Sequence, residues 1–115
     1  MNWFVAKLVF HLRTKQHSEN TQFEESHRLI QASSAAEAFH IARSMGASED
    51  STFLNAHGHH THWHFVDVAD VRSLDSLESG TEVFSQVAEY CHSELHLSLV
   101  KQQAHFALQK HIIFS

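Results

Sequence analysis

The stretch Trp3-Phe4-Val5-Ala6-Lys7-Leu8-Val9-Phe10-His11-Leu12 decides the fold. With a period of two, Phe4, Ala6, Leu8, Phe10 and Leu12 share one face, and Trp3, Val5, Lys7, Val9 and His11 share the other. One face is wholly apolar and the other mixed. That pattern suits a sheet strand packed on helices on one side and partly covered on the other. The N-terminus has no basic lead-in, carries Lys7 inside its apolar run and offers no small-residue cleavage site. It reads as a strand and not as a signal peptide.

Downstream, the polar stretch Arg13 to Gln22 leads to a second strand over Phe23 to Ala32. Its parity is mixed, with Phe23, His27 and Leu29 on one face against Arg28 and Ile30 on the other, which an edge strand tolerates. Ser34-Ala35-Ala36-Glu37 is a capping box, in which the serine oxygen accepts from the third helical N–H and the glutamate reaches back. It opens a helix over Ala35 to Met45 with Ala35, Ala38, Phe39, Ala42 and Met45 on one stripe. Gly46 follows as a left-handed C-terminal cap.

Phe53-Leu54-Asn55 reads as a short strand, Ala56-His57-Gly58-His59 as a turn, and His60 to Val71 as a longer strand. Leu74 to Gly80 turns the chain. Thr81 to Tyr90 then alternates Val83, Ser85, Val87 and Glu89 with Glu82, Phe84, Gln86, Ala88 and Tyr90, as a further strand would. Ser93 caps a C-terminal helix running to about Lys110, with Leu97, Val100, Ala104 and Leu108 on one face. The order is β-β-α-β-β-β-α. This is an α+β fold, a mainly antiparallel sheet of four to five strands packed on one or two helices.

The chain has 115 residues, no proline and three glycines, without a linker or repeat, so residues 1–115 read as a single domain whose last part, 92–115, is helix and tail. Hydrophobic content of 43% and charged content of 18% fit a folded globule. No apolar run nears the roughly 20 residues that cross a bilayer. Lys and Arg form no stripe, which argues against a nucleic-acid partner. The lone Cys91 forms no internal disulfide, and a cytoplasmic location is expected.

Thirteen histidines are the chemical oddity, five of them in His57-Gly58-His59-His60-Thr61-His62-Trp63-His64. Protonating all thirteen moves the formal charge from −5 to +8, so charge-dependent behaviour is expected to follow pH. On the strand, His60, His62 and His64 share a face while Trp63 and Phe65 anchor the opposite one in the core. Side chains two apart on a strand bring two imidazoles within reach of one ion, and His57 and His59 sit on the adjacent turn. The alternative is a solvated face on which histidine serves as the polar residue, with adventitious Zn, Ni or Cu binding and no required cofactor.

A second constellation is Cys91-His92-Ser93-Glu94-Leu95-His96, where His92 and His96 are four apart at a helix start. Cys91 near a helix N-terminus reads either as a nucleophile of lowered pKa or as a small buried hydrophobe. Asp67 has the parity of Trp63 and Phe65, which places a carboxylate on or near the buried face, with Arg28 and Lys7 as available partners. Glu82 and Ser85 are further polar positions inside an expected strand. No phosphate loop, nucleophile elbow or His-Glu-x-x-His motif occurs.

Taken in order, Trp3-Phe4-Val5-Ala6-Lys7, Phe23-Glu24-Glu25, Glu37-Ala38-Phe39 with Ala42 and Gly46, Phe53-Leu54-Asn55, Trp63-His64-Phe65-Val66-Asp67-Val68 and Gly80-Thr81-Glu82-Val83-Phe84-Ser85 form one set. That set resembles a small bacterial family defined only as a domain of unknown function, over residues 3 to 90. The resemblance implies a short stand-alone cytoplasmic protein and brings no activity, cofactor or catalytic residue. It also implies ordinary polar residues at the positions of His60, His62 and His64, making the histidines a departure of this chain.

The reading that follows is a non-enzymatic interaction or accessory module. A homodimer is expected, because Trp3, Val5 and Val9 make the second face of the first strand too apolar to leave bare. Folding-back of the C-terminal helix over that face is the structural alternative. Histidine-based metal binding or buffering is the second functional reading, and an enzyme using Cys91 with His92, or the Asp67 region, is the third.

Overall fold

The computed structural model describes residues 1–14, 22–54 and 56–114, the last five of these by backbone alone. Four antiparallel strands, β1 (Asn2–Thr14), β2 (Gln22–Ala32), β3 (Ser51–Leu54) and β4 (His60–Leu74), form one sheet in the order β2-β1-β4-β3. Helix α1 (Ala35–Ser48) joins β2 to β3, and α2 (Ser93–Phe114) lies near the C-terminus. The α+β class and the edge position of β2 follow the sequence pattern.

The even face of β1 makes the core. Phe4, Ala6, Leu8 and Phe10 are buried with Ile30 and Ala32 of β2, Ala38 and Ala42 of α1, and Val68 of β4. Full burial of Phe10 and Leu8 stabilises the fold by roughly 1.5–3 kcal/mol each. Phe39, Met45, Trp63, Phe65 and Val71 pack around this centre. Ala35, expected on the helix's apolar stripe, is exposed.

The helix start is close to its sequence reading. Ser34 is extended (φ −153°, ψ 163°), and its Oγ accepts from the Glu37 N–H at 3.1 Å. Glu37 itself accepts from the Ser33 hydroxyl. The helix end differs. It continues through Gly46 to Ser48, and Glu49 caps it in a right-handed conformation. Gly46 is buried for another reason: a Cβ there would lie 2.2 Å from Cε1 of Phe65. The glycine lets helix and strand approach, and no left-handed turn is involved.

β4 carries two irregularities. Phe10 faces Phe65 while Val9 faces Asp67, leaving Val66 extra; Leu8 faces Val68 while Lys7 faces Asp70, leaving Ala69 extra. Each extra residue shifts the side-chain alternation. The core face of β4 therefore runs through Phe65, Val68 and Val71, and simple parity fails beyond Phe65.

Residues 81–90, expected as a fifth strand, carry no strand. The chain divides at this segment into two units, Met1–Val83 and Phe84–Ser115. Within the first, Leu77 and Val83 line a shallow cavity of about 500 Å³ with Leu29 and Leu74. Within the second, α2 opens at Ser93, with the His92 carbonyl accepting from the His96 N–H at 3.1 Å. Among the described residues no helix is long and apolar enough to cross a membrane.

Candidate functional site

The site begins with how β4 is anchored. Trp63 and Phe65 set their rings 5.8 and 5.5 Å from that of Phe10, so His62 and His64 stand on the opposite face. Their ring centroids are 5.2 Å apart. β3 is only four residues long, and its last pair is Ser51 with Trp63. Past that pair, β4 becomes an edge.

Asp50 closes this edge. It leaves α1 tightly, with the Glu49 N–H shared between the Met45 and Gly46 carbonyls and its own N–H directed at the Ala47 carbonyl. One carboxylate oxygen accepts from the Phe65 N–H at 2.8 Å, and the other lies 2.7 Å from Nε2 of His62. Nδ1 of His64 stands 3.2 Å from the first oxygen. The His62 ring and then the Phe65 N–H hold the Asp50 carboxyl below its ordinary pKa. Solvent reaches all three side chains, at 31% for Asp50, 38% for His62 and 37% for His64.

Asp50, His62 and His64 each offer a ligand atom, all within 4.8 Å of one another, and this is the one such three-donor group among the described residues. Of the five clustered histidines, only His62 and His64 belong to it. His60 is exposed opposite Leu54, and the His57 and His59 rings lie 6.4 Å apart on the turn. His11, across from His64, is otherwise engaged: its Nδ1 accepts from the Arg13 Nε–H at 3.0 Å and its ring stacks on Phe23.

Asp67 is not on the buried face. The extra residue Val66 turns it outward, where its carboxylate, 48% exposed, takes two hydrogen bonds from Arg43, at 3.1 and 3.0 Å. Arg43 lies over the Phe39 ring at 4.6 Å. The Arg43 hydrogen bond first, then the Val68 N–H, keep the Asp67 carboxyl below its ordinary range. The partners suggested by sequence are committed elsewhere, Arg28 to Glu49 at 2.8 and 2.9 Å and Lys7 to Glu25 at 3.4 Å.

Glu82 lines a shallow depression with Asp75, Glu78 and Thr81, and Ser85 is exposed. In the second unit, Cys91 is exposed and lines an open depression with His92, Ser93, Glu94 and Leu95. His96 stacks on Tyr90, ring centroids 3.8 Å apart. The thiol and imidazoles thus sit near one another without joining a three-donor group among the described residues.

Asp50 was not among the residues that sequence reasoning singled out. Its only signal is an acidic side chain between a helix and a short strand, which is commonplace. Its role depends on where β3 stops.

No curated protein and no solved structure matches the chain. A family model described as Domain of unknown function (DUF4288) matches residues 3–85, which take in β1 from its second residue, β2, β3, β4, α1 and the Asp50–His62–His64 group. The chain belongs to this family of domains of unknown function.

Proposed function

We propose that this protein is a non-enzymatic interaction module that works as a homodimer through the open face of its sheet. The observation that carries the reading is the side-chain row of β2. Phe23, Glu25, His27, Leu29 and Gln31 are all exposed, with Phe23 at 59% and Leu29 at 51%, beside half-buried Trp3 and Val9 of β1. α1 covers only the other face. Exposed apolar side chains set among polar ones on an uncovered sheet face are a feature of association surfaces.

A second copy is the partner this surface fits. Its charges are already paired within one chain, Lys7 with Glu25 and Asp70 with Arg72, so a twofold contact brings no net like charge together. Part of the face near Val5 is closed by the chain itself, since Val5 is 5% exposed. The contact is therefore centred on Phe23 and Val9, with half-exposed Leu29, across from Val5, at its margin. The exposed, unpaired Cys91 supports a reducing, cytoplasmic setting.

Light scattering behind gel filtration tests this. The wild type is expected at dimer mass, and Phe23→Lys with Leu29→Lys at monomer mass with an unchanged circular dichroism spectrum. A wild type that stays monomeric at high concentration, or a dimer that survives both substitutions, contradicts the reading.

A further inference from the structure

We infer that Asp50, His62 and His64 form a binding site for one late first-row transition-metal dication, with Zn²⁺ as its simplest occupant. The inference is independent of the dimer. It rests on the convergence of three donors from two separate parts of the chain, the exit from α1 and the first half of β4.

The donor chemistry selects the class of ion. Two imidazoles and one carboxylate suit Zn²⁺, Ni²⁺ or Cu²⁺, whereas Mg²⁺ and Ca²⁺ take oxygen. The distances also fit. Zn–N bonds of about 2.0–2.1 Å in a tetrahedron place donors about 3.3–3.5 Å apart. Here Nε2 of His62 is 2.7 Å and Nδ1 of His64 is 3.2 Å from the Asp50 carboxylate, and no pair of donors exceeds 4.8 Å. Small side-chain rotations suffice to seat an ion. With an ion seated, Nε2 of His62 ligates it through its lone pair and the neutral ring carries its hydrogen on Nδ1, so the present Nε2–Asp50 contact gives way to two bonds to one ion.

The frame around the donors is built. Asp50 is aimed by the Phe65 N–H, the kind of supporting hydrogen bond that orients a ligating carboxylate. His62 and His64 are fixed in direction because Trp63 and Phe65 between and beside them are packed on Phe10. Three protein ligands leave the fourth tetrahedral position to solvent. That open position makes the site an exchangeable one.

This assignment separates a built site from the histidine-rich run around it. His57, His59 and His60 are outside the group, so they are dispensable.

Calorimetric titration of the untagged, metal-free full chain with ZnCl₂ alone is the test. One saturable equivalent is expected. His62→Gln and His64→Gln are each expected to weaken it by at least the roughly 10–100-fold that loss of a mere supporting partner costs. Asp50→Asn keeps an oxygen to accept the Phe65 N–H while removing the charge, and is expected to weaken binding similarly. The triple change His57→Gln, His59→Gln and His60→Gln is expected to retain the wild-type affinity. Circular dichroism and melting temperature are recorded for each variant, and the half-exposed His62 and His64 rings make their substitutions compatible with folding. The absence of a saturable equivalent overturns the proposal. So does a folded His62→Gln or His64→Gln variant that binds like wild type, or a triple variant that loses binding.

Discussion

Single residues decide how closely the helix meets the sheet. Gly46 has no side chain because the Phe65 ring occupies the place a Cβ would take. Gly46→Ala is expected to destabilise the protein by about 1–3 kcal/mol, the range for overpacking a core. Adding Phe65→Leu to it should recover part of the loss in urea unfolding, and equal instability of single and double variants would count against this reading. The glycine itself is obvious in the sequence. Its purpose is not, because a glycine after a helical stripe usually marks a left-handed cap and only the contact with Phe65 reveals the closer packing. Asp50 is hidden for a similar reason, since its partner is a backbone N–H bared by the shortness of β3. His62 and His64, in contrast, were legible from alternation with Trp63 and Phe65.

At the scale of elements, ion pairs tie α1 to the sheet on both sides, Arg43 to Asp67 of β4 and Arg28 of β2 to Glu49. Arg28 first lowers the Glu49 pKa, as Arg43 does for Asp67. A carboxyl whose folded pKa is depressed stabilises the fold fully above its unfolded value, about 3.9 for Asp, and loses that effect as pH falls through the folded value. Arg43→Gln should therefore cost a constant amount of stability above about pH 5, and the gap from wild type should close below about pH 4. Urea midpoints measured at each pH check this, and a gap indifferent to pH would speak against the pairing. Ser34→Ala is expected to cost about 1 kcal/mol in the same assay, through loss of the bond to the Glu37 N–H. The cap and the alternation of β1 could be read directly from sequence because each depends on neighbours in the chain. The displacement of Asp67 could not, because the extra residues Val66 and Ala69 show only against β1.

At the scale of the whole molecule, the core is complete by Leu74, and the family match ends at residue 85. A fragment of residues 1–85 is expected to unfold in one cooperative transition, with the strand and helix signals of β1 to β4 and α1. A fragment that fails to fold would mean that residues 86–115 belong to the folding unit. The alternation of Thr81 to Tyr90 suggested a strand, yet alternation only makes a strand where a neighbouring edge receives its hydrogen bonds. Order along the chain was thus readable from residue pattern, and the point at which the sheet ends was not.

Imidazole ¹⁵N spectra of the full chain during Zn²⁺ titration examine the three-donor group most directly. The ring nitrogens of His62 and His64 should shift first and together, saturating at one equivalent with the Phe65 amide moving alongside. Shifts confined to His57, His59 and His60, or spread evenly over all the histidines, would contradict it.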